Sequence, residues 1–200
     1  EAFAEPFLSL YEKSYLNMPW NKLFRREWLG KFDTGLSLGE DLLFNLEYLR
    51  RCRKITVVPE ALCFYIQEEQ KTTLSSRKRE DRLELAKMVC RETEHFYEER
   101  WKTRPDGRIF TRYMNEILDE CEKLPTDRSL SLKEKREYIH MCAGDSWVRQ
   151  RGKEACLSLP DYRILWFFLK RDMPRTVYAL CVLRRAVVTI LHEMRRRRQR

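Results

Sequence analysis

Apolar residues recur at helical spacing along most of the chain. Aromatic and aliphatic side chains already repeat every three or four residues before residue 17, which predicts a helix there. The segment from Asp81 to Arg100 consists of strong helix formers, with its apolar residues along one side. Ile109 to Leu124 shows the same pattern and ends near Pro125. The region beyond about residue 77 is therefore predicted to be predominantly helical.

Capping signals mark the beginnings of three further helices. Ser131 and Glu134 have the spacing of a capping box, which predicts a helix that begins there and runs toward Gly144. Pro160 precedes another helical segment. Pro174 stands at the beginning of the last helix, where its missing N–H costs nothing.

One stretch favours β structure instead. Residues 55–58 are β-branched and the run stops at Pro59, after which residues 61–66 resume an extended, aromatic-rich pattern. We therefore predict a mainly α fold with a small β element.

Composition narrows the class of protein. The chain has 200 residues, of which 43% are apolar and 36% charged, so it can bury a core. Only 6 residues are glycine and no phosphate-binding glycine motif occurs, which argues against a self-contained nucleotide-binding domain. The 7 cysteines are scattered without a CxxC pair, and only 3 histidines are present. We therefore expect a reduced, cytoplasmic protein without structural zinc.

The net charge of +9 belongs to one end of the chain. The last forty residues hold 11 basic and 3 acidic side chains, whereas acid and base nearly cancel in the rest. A terminal patch is not the basic face of a nucleic-acid-binding domain, so nucleic acid is not an expected partner. Pattern and charge together predict three regions: residues 1–76, a helical domain over 77–160, and basic amphipathic terminal helices over 161–200.

The basic end also suggests a partner. From Pro174 apolar residues follow one another at helical spacing, with arginines between them and four consecutive arginines at 195–198. A basic amphipathic helix over 174–200 is suited to an anionic membrane surface, which predicts a peripheral position at the inner face of the membrane. Alternatively, the apolar side packs on the preceding helices and the arginines form a solvated end.

Three motifs occur in order between residues 19 and 45. They read PWNKLFRRE from Pro19, FD from Phe32 and LGEDLLFN from Leu38. In this order and at this spacing they resemble the second half of bacterial family 2 glycosyltransferases, and the match covers roughly residues 10 to 76.

The resemblance implies a GT-A α/β fold, of which residues 1–76 would be the C-terminal portion. In that family an N-terminal half supplies the site for the nucleotide sugar and an Asp-x-Asp-type ligand for a divalent metal, Mn²⁺ or Mg²⁺. Neither appears before Trp20. We therefore expect the chain to cover the acceptor side of a longer enzyme and to be inactive alone. The intact enzyme would transfer a sugar from a nucleotide diphosphate sugar to a hydroxyl of a saccharide or lipid-linked acceptor.

Two carboxylates are the candidate catalytic residues. Sugar transfer with inversion needs a base that takes the proton of the acceptor hydroxyl, and Asp41, directly before an apolar helical run, is suited to that role. Glu40 is placed to bind an acceptor hydroxyl or to orient Asp41. The structural alternatives are an N-cap for Asp41 and a first-turn carboxylate, favoured by the helix dipole, for Glu40.

Three residues of the first motif are candidates for substrate binding. Trp20 is suited to stacking on a sugar face, although a tryptophan after proline is often a packed anchor. Asn21 and Lys22 either hold the loop or approach a phosphate, for which Lys22 offers a point charge. A second hypothesis makes the whole chain a non-catalytic helical interaction module whose basic tail binds a membrane or another partner.

Overall fold

A computed structural model describes residues 3–36, 38–64 and 81–198. In these residues the chain is mainly helical, which confirms that part of the prediction. It divides into two compact units, Glu1–Ile109 and Phe110–Arg200. The domain boundary that the sequence predicts near residue 76 lies outside the described residues.

In its described residues the first unit contains three α-helices, named α1 (Ala4–Glu12), α2 (Glu40–Arg51) and α3 (Arg82–Trp101). Two short 3-10 helices, Pro19–Asn21 and Arg26–Trp28, lie between α1 and α2. Helix α2 packs on α3. Because α3 lies within one residue of its predicted limits at each end, the helical periodicity of this segment is a reliable signal.

Aromatic rings join α1 to α3. Phe7 is fully buried, and its ring centroid lies 5.3 Å from that of Phe96 and 5.2 Å from that of Trp101. Tyr97 approaches the same ring at 6.0 Å. Buried aromatic pairs at these separations add stability beyond the area that they bury. The apolar repeat near the beginning of the chain is thus the face of α1 that packs on α3.

The second unit is built mainly from α4 (Arg108–Lys123), α5 (Leu132–Gly144), α6 (Ser146–Glu154), α7 (Pro160–Leu169) and α8 (Pro174–Arg198). Helices α5 and α7 both pack on α8, and α5 also contacts α6 and α7. The core of this unit is apolar and includes three buried thiols.

The capping predictions are confirmed. The Ser131 N–H donates to Glu134 Oε2 over 2.7 Å, and the Glu134 N–H donates to Ser131 Oγ over 3.3 Å. This reciprocal capping box satisfies two amide donors that the helix itself leaves without partners. Pro174 is the first residue of α8, as predicted, and Pro160, which was expected to precede its helix, is the first residue of α7.

The predicted β element, a strand over residues 55–58, is wrong, and the α/β character that the resemblance implies for residues 1–76 is not found in the described part of that range. No strand is assigned in the described ranges, and residues 53–64 form an irregular segment after α2. Residues 65 and 66 of the second extended run lie outside those ranges. β-propensity expresses how well a side chain fits a half-buried pleated surface, and it supplies no partner for the backbone. Here Val57 and Val58 are exposed, so that surface is not formed.

Helix α8 is half packed and half exposed. In its first half, Val177 and Cys181 are fully buried, so the packing alternative holds for that half. From Val182 onward its large apolar side chains are exposed wherever they are described. No helix in the described part of the chain is both long and apolar enough to cross a membrane.

Candidate functional site

The GED motif forms the beginning of α2. Gly39 is the N-cap residue, with φ +83°, and Glu40 and Asp41 occupy the first turn. A Cβ atom on Gly39 would lie 2.3 Å from Cγ2 of Val89 in α3, so glycine is required both by the left-handed backbone and by the packing. The interpretation of Asp41 as an N-cap is therefore wrong, whereas both carboxylates do lie at the positive end of the helix dipole.

The three motifs meet in one aromatic cluster. Phe44 in α2 stacks on Phe32 of the FD motif with ring centroids 4.1 Å apart. Phe24 of the first motif meets Phe44 edge-on at 5.7 Å and Tyr48 at 4.8 Å. Positions 44 and 48 lie one above the other on one face of α2, which is the usual i, i+4 arrangement. Packing of the loop onto this face brings the separate motifs together.

Polar side chains on α2 hold the same loop. The Asn45 amide nitrogen donates to the carbonyl oxygens of Leu16 and Asn17 over 2.8 and 3.0 Å, and Asn45 is almost completely buried. The Arg25 N–H donates to the hydroxyl of Tyr48 over 2.7 Å. Sequence reasoning missed both loop-holding residues. Asn45 and Tyr48 are three residues apart, so they lie on the same face of the helix that follows the candidate site, and this spacing is the signal that could have identified them.

Lys22 folds back onto its own loop. Its ammonium donates to the carbonyl oxygens of Tyr15 (2.8 Å) and Met18 (2.6 Å) and to Oδ1 of Asn21 (2.8 Å). The Asn21 amide nitrogen donates to the Tyr15 carbonyl over 3.3 Å. An ammonium has three N–H donors, and all three have protein acceptors here. In this arrangement Lys22 and Asn21 hold the loop, and neither reaches outward for a phosphate.

Asp41 and Lys22 influence each other electrostatically. Burial raises the pKa of Asp41, the neighbouring Glu40 raises it further, and the Lys22 ammonium opposes both. Burial lowers the pKa of Lys22 to about 8, against the attraction of Asp41. Among the described residues none donates a hydrogen bond to the Asp41 carboxylate. The structure thus brings Asp41, Glu40 and Lys22 together and leaves the Asp41 oxygens able to accept a proton.

Trp20 lies in the 3-10 turn that precedes Lys22. Its side chain is 47% exposed, so it is not a fully packed anchor. Leu23 and Tyr15 in the same loop are also exposed. The loop therefore carries a partly apolar outer surface, and an exposed indole is a suitable face for stacking on a sugar ring.

The described residues do not fit a divalent metal. No group of three or more histidine, cysteine, aspartate or glutamate side chains comes together in them. The pair Glu40 and Asp41 shares its surroundings with the Lys22 ammonium, whereas Mn²⁺ and Mg²⁺ are held by sets of oxygen ligands. The metal implied by the resemblance thus has no ligand set in this part of the chain.

A groove of about 770 Å³ is present in the second unit, beside the segment that joins α6 and α7. Its lining includes Lys153, Arg163 and Lys170 together with the aromatic rings of Trp166 and Phe167, and no lining residue is acidic. The charge of this groove favours an anionic ligand. It contains none of the site residues that the sequence predicted.

Comparisons with protein-family models, with curated proteins and with solved structures find no match for this chain.

Proposed function

We propose that the chain is the acceptor-side part of a family 2 glycosyltransferase with a GT-A fold. The observation that carries the proposal is the state of Asp41, a partly buried carboxylate without a hydrogen-bond donor among the described residues. The ordered motifs that suggested the family also lie against one another around α2.

The proposed reaction uses Asp41 as the general base. As the acceptor hydroxyl oxygen attacks the anomeric carbon, its proton passes to an Asp41 carboxylate oxygen, and the nucleoside diphosphate leaves with the electrons of the broken glycosidic bond. A base works best when its pKa approaches the working pH, and burial shifts the pKa of Asp41 in that direction. In this proposal Glu40 binds the acceptor hydroxyl or orients Asp41, and Trp20 stacks on the face of a sugar.

The donor site and its metal are assigned to chain outside this sequence. The irregular segment after α2 supports this part of the proposal, because Val57, Leu62 and Phe64 expose large apolar side chains there. Exposed large apolar side chains are suited to an interface with another part of the enzyme. The residues encoded upstream of Glu1 test the assignment, since the proposal requires an Asp-x-Asp segment among them.

Asp41→Asn is the decisive substitution, made in a protein that joins this chain to its donor-binding half. We expect kcat to fall by about 10²–10⁴, the usual contribution of a positioned base, while the melting temperature changes little. Glu47→Gln is the matched control, because Glu47 lies in the same helix and pairs only with Arg50 and Arg51 in the described residues. Full activity of Asp41→Asn would end the catalytic assignment.

The alternative is a non-catalytic helical interaction module. The exposed second half of α8 favours it. A surface on α8 that binds a partner does not exclude glycosyl transfer, so the experiments on Asp41 and on α8 are independent.

A further inference from the structure

The second half of α8 carries an apolar stripe. Its members each expose 43–61% of their surface and are Val182, Leu183, Val187, Ile190 and Met194. Successive members lie one, four, three and four positions apart along the helix. At 100° per residue these positions fall within an arc of about 140° on the helix. We call this set the α8 stripe.

The stripe lies opposite the face by which α8 is anchored. Val177 and Cys181 are fully buried, while Arg184 forms ion pairs with Glu122 and Asp161. On the helical projection these anchoring positions centre about 160° from the centre of the stripe, and Val188, which exposes 42% of its surface, falls among the anchoring positions rather than in the stripe. The stripe therefore faces away from the helices on which α8 packs, and the core of this unit does not cover it.

The charges around the stripe select its partner. Helix α8 continues to Arg198, and the sequence places four arginines at 195–198. The last forty residues carry 8 of the 9 net positive charges of the chain. A second copy would bring two such ends into one interface, where like charges repel, whereas lipid phosphates complement them.

We propose that the α8 stripe and the arginines that follow it bind the surface of an anionic phospholipid membrane. The helix lies in the plane of the headgroups, with Leu183, Val187 and Ile190 toward the acyl chains and arginines among the phosphates. This mode suits a helix that is too polar to span a bilayer. The proposal does not depend on glycosyl transfer.

Sedimentation of the full chain with lipid vesicles tests the proposal. We expect it to sediment with vesicles that contain phosphatidylserine, to stay in the supernatant with pure phosphatidylcholine, and to be released at high salt. Removal of α8 from Pro174 onward would be a poor test, because Val177 and Cys181 belong to the core. Point substitutions in the exposed half avoid that problem.

The double variant Leu183→Ser/Ile190→Ser should bind anionic vesicles about tenfold or more weakly, since two apolar side chains no longer enter the interface. Its matched control is Leu132→Ser/Ile164→Ser, which removes the same two residue types from exposed positions on α5 and α7. The control should bind as the parent chain does. Circular dichroism must show the same helix content in both.

A second variant replaces the arginines at 195–198 with glutamine and leaves the stripe intact. Each basic residue near the surface contributes about fivefold to anionic binding, so we expect a loss of about a hundredfold or more. No sedimentation of the parent chain with phosphatidylserine vesicles overturns the proposal, as does equal binding by the stripe variant and its control. Light scattering that shows a dimer dependent on the stripe, without lipid binding, assigns the stripe to a second copy instead.

Discussion

Gly39→Ala tests whether the glycine of the GED motif is required by the fold. The substitution adds one methyl group at the N-cap of α2. Two independent costs follow from its position: the left-handed φ of +83°, and a Cβ that would lie 2.3 Å from Cγ2 of Val89. Val89 is buried and β-branched, so its side chain has little freedom to rotate away.

The magnitude follows from these two terms. An L-residue in the left-handed region costs about 1–2 kcal/mol, and overpacking of a formed contact costs about 1–3 kcal/mol. The free energy of unfolding should therefore fall by about 2–5 kcal/mol. Gly30→Ala is the control, because nothing lies within 4 Å of its added Cβ and its φ is not positive. It should change stability by no more than about 0.5–1 kcal/mol.

Urea unfolding followed by circular dichroism measures both variants. The double variant Gly39→Ala/Val89→Ala separates the two terms, because it removes the contact with Cγ2 and keeps the backbone strain. The double variant should lose about 1–3 kcal/mol less free energy of unfolding than the sum of the losses in the two single variants. If Gly39→Ala is as stable as Gly30→Ala, α2 and α3 do not approach each other as described.

Two further predictions concern stability. Because burial lowers the pKa of Lys22 to about 8, this side chain loses its proton at a lower pH in the native state than in the unfolded chain. The free energy of unfolding should therefore rise relative to that of Lys22→Met as pH increases from 8 to about 10.5. Urea titrations of both proteins at several pH values measure this difference, and a difference that stays constant contradicts the burial of Lys22. Gly152→Ala should lower the free energy of unfolding by about 1–3 kcal/mol, since its Cβ would lie 2.3 Å from the Trp166 ring. Gly144→Ala adds its Cβ in open space and should change the free energy of unfolding little. Thermal unfolding compares the two variants, and equal melting temperatures would count against the close packing of α6 on α7.

Local signals in the sequence were sufficient for most helices. Ser131 with Glu134, Pro160 and Pro174 act within one turn of the chain, so their effect on helix beginnings can be predicted without the fold. The strand over residues 55–58 failed because a strand also needs a pairing partner, which local β-propensity does not provide.

Long-range contacts explain what the sequence could not show at the site. The glycine at position 39 indicates a tight turn, but the contact that excludes a side chain comes from Val89, fifty residues later. The sequence left two roles open for Lys22, holding the loop or approaching a phosphate, and in the structure the nearby carbonyl oxygens of Tyr15 and Met18 take its donors. Which acceptor a flexible lysine finds depends on the path of the loop, and α2 determines that path through Asn45.

Packing accounts for some motif residues and leaves others without a structural reason. Gly39 is required by Val89, Phe44 fills the aromatic cluster, and Asn45 binds the loop. Asp41 differs, because its partly buried carboxylate accepts no hydrogen bond from the described residues and lies beside a second carboxylate, which raises its pKa. A raised pKa means that the fold disfavours the ionised form. The helix dipole favours a carboxylate in the first turn, whereas burial and Glu40 disfavour its ionised form, so the activity of Asp41→Asn decides between a structural and a catalytic role.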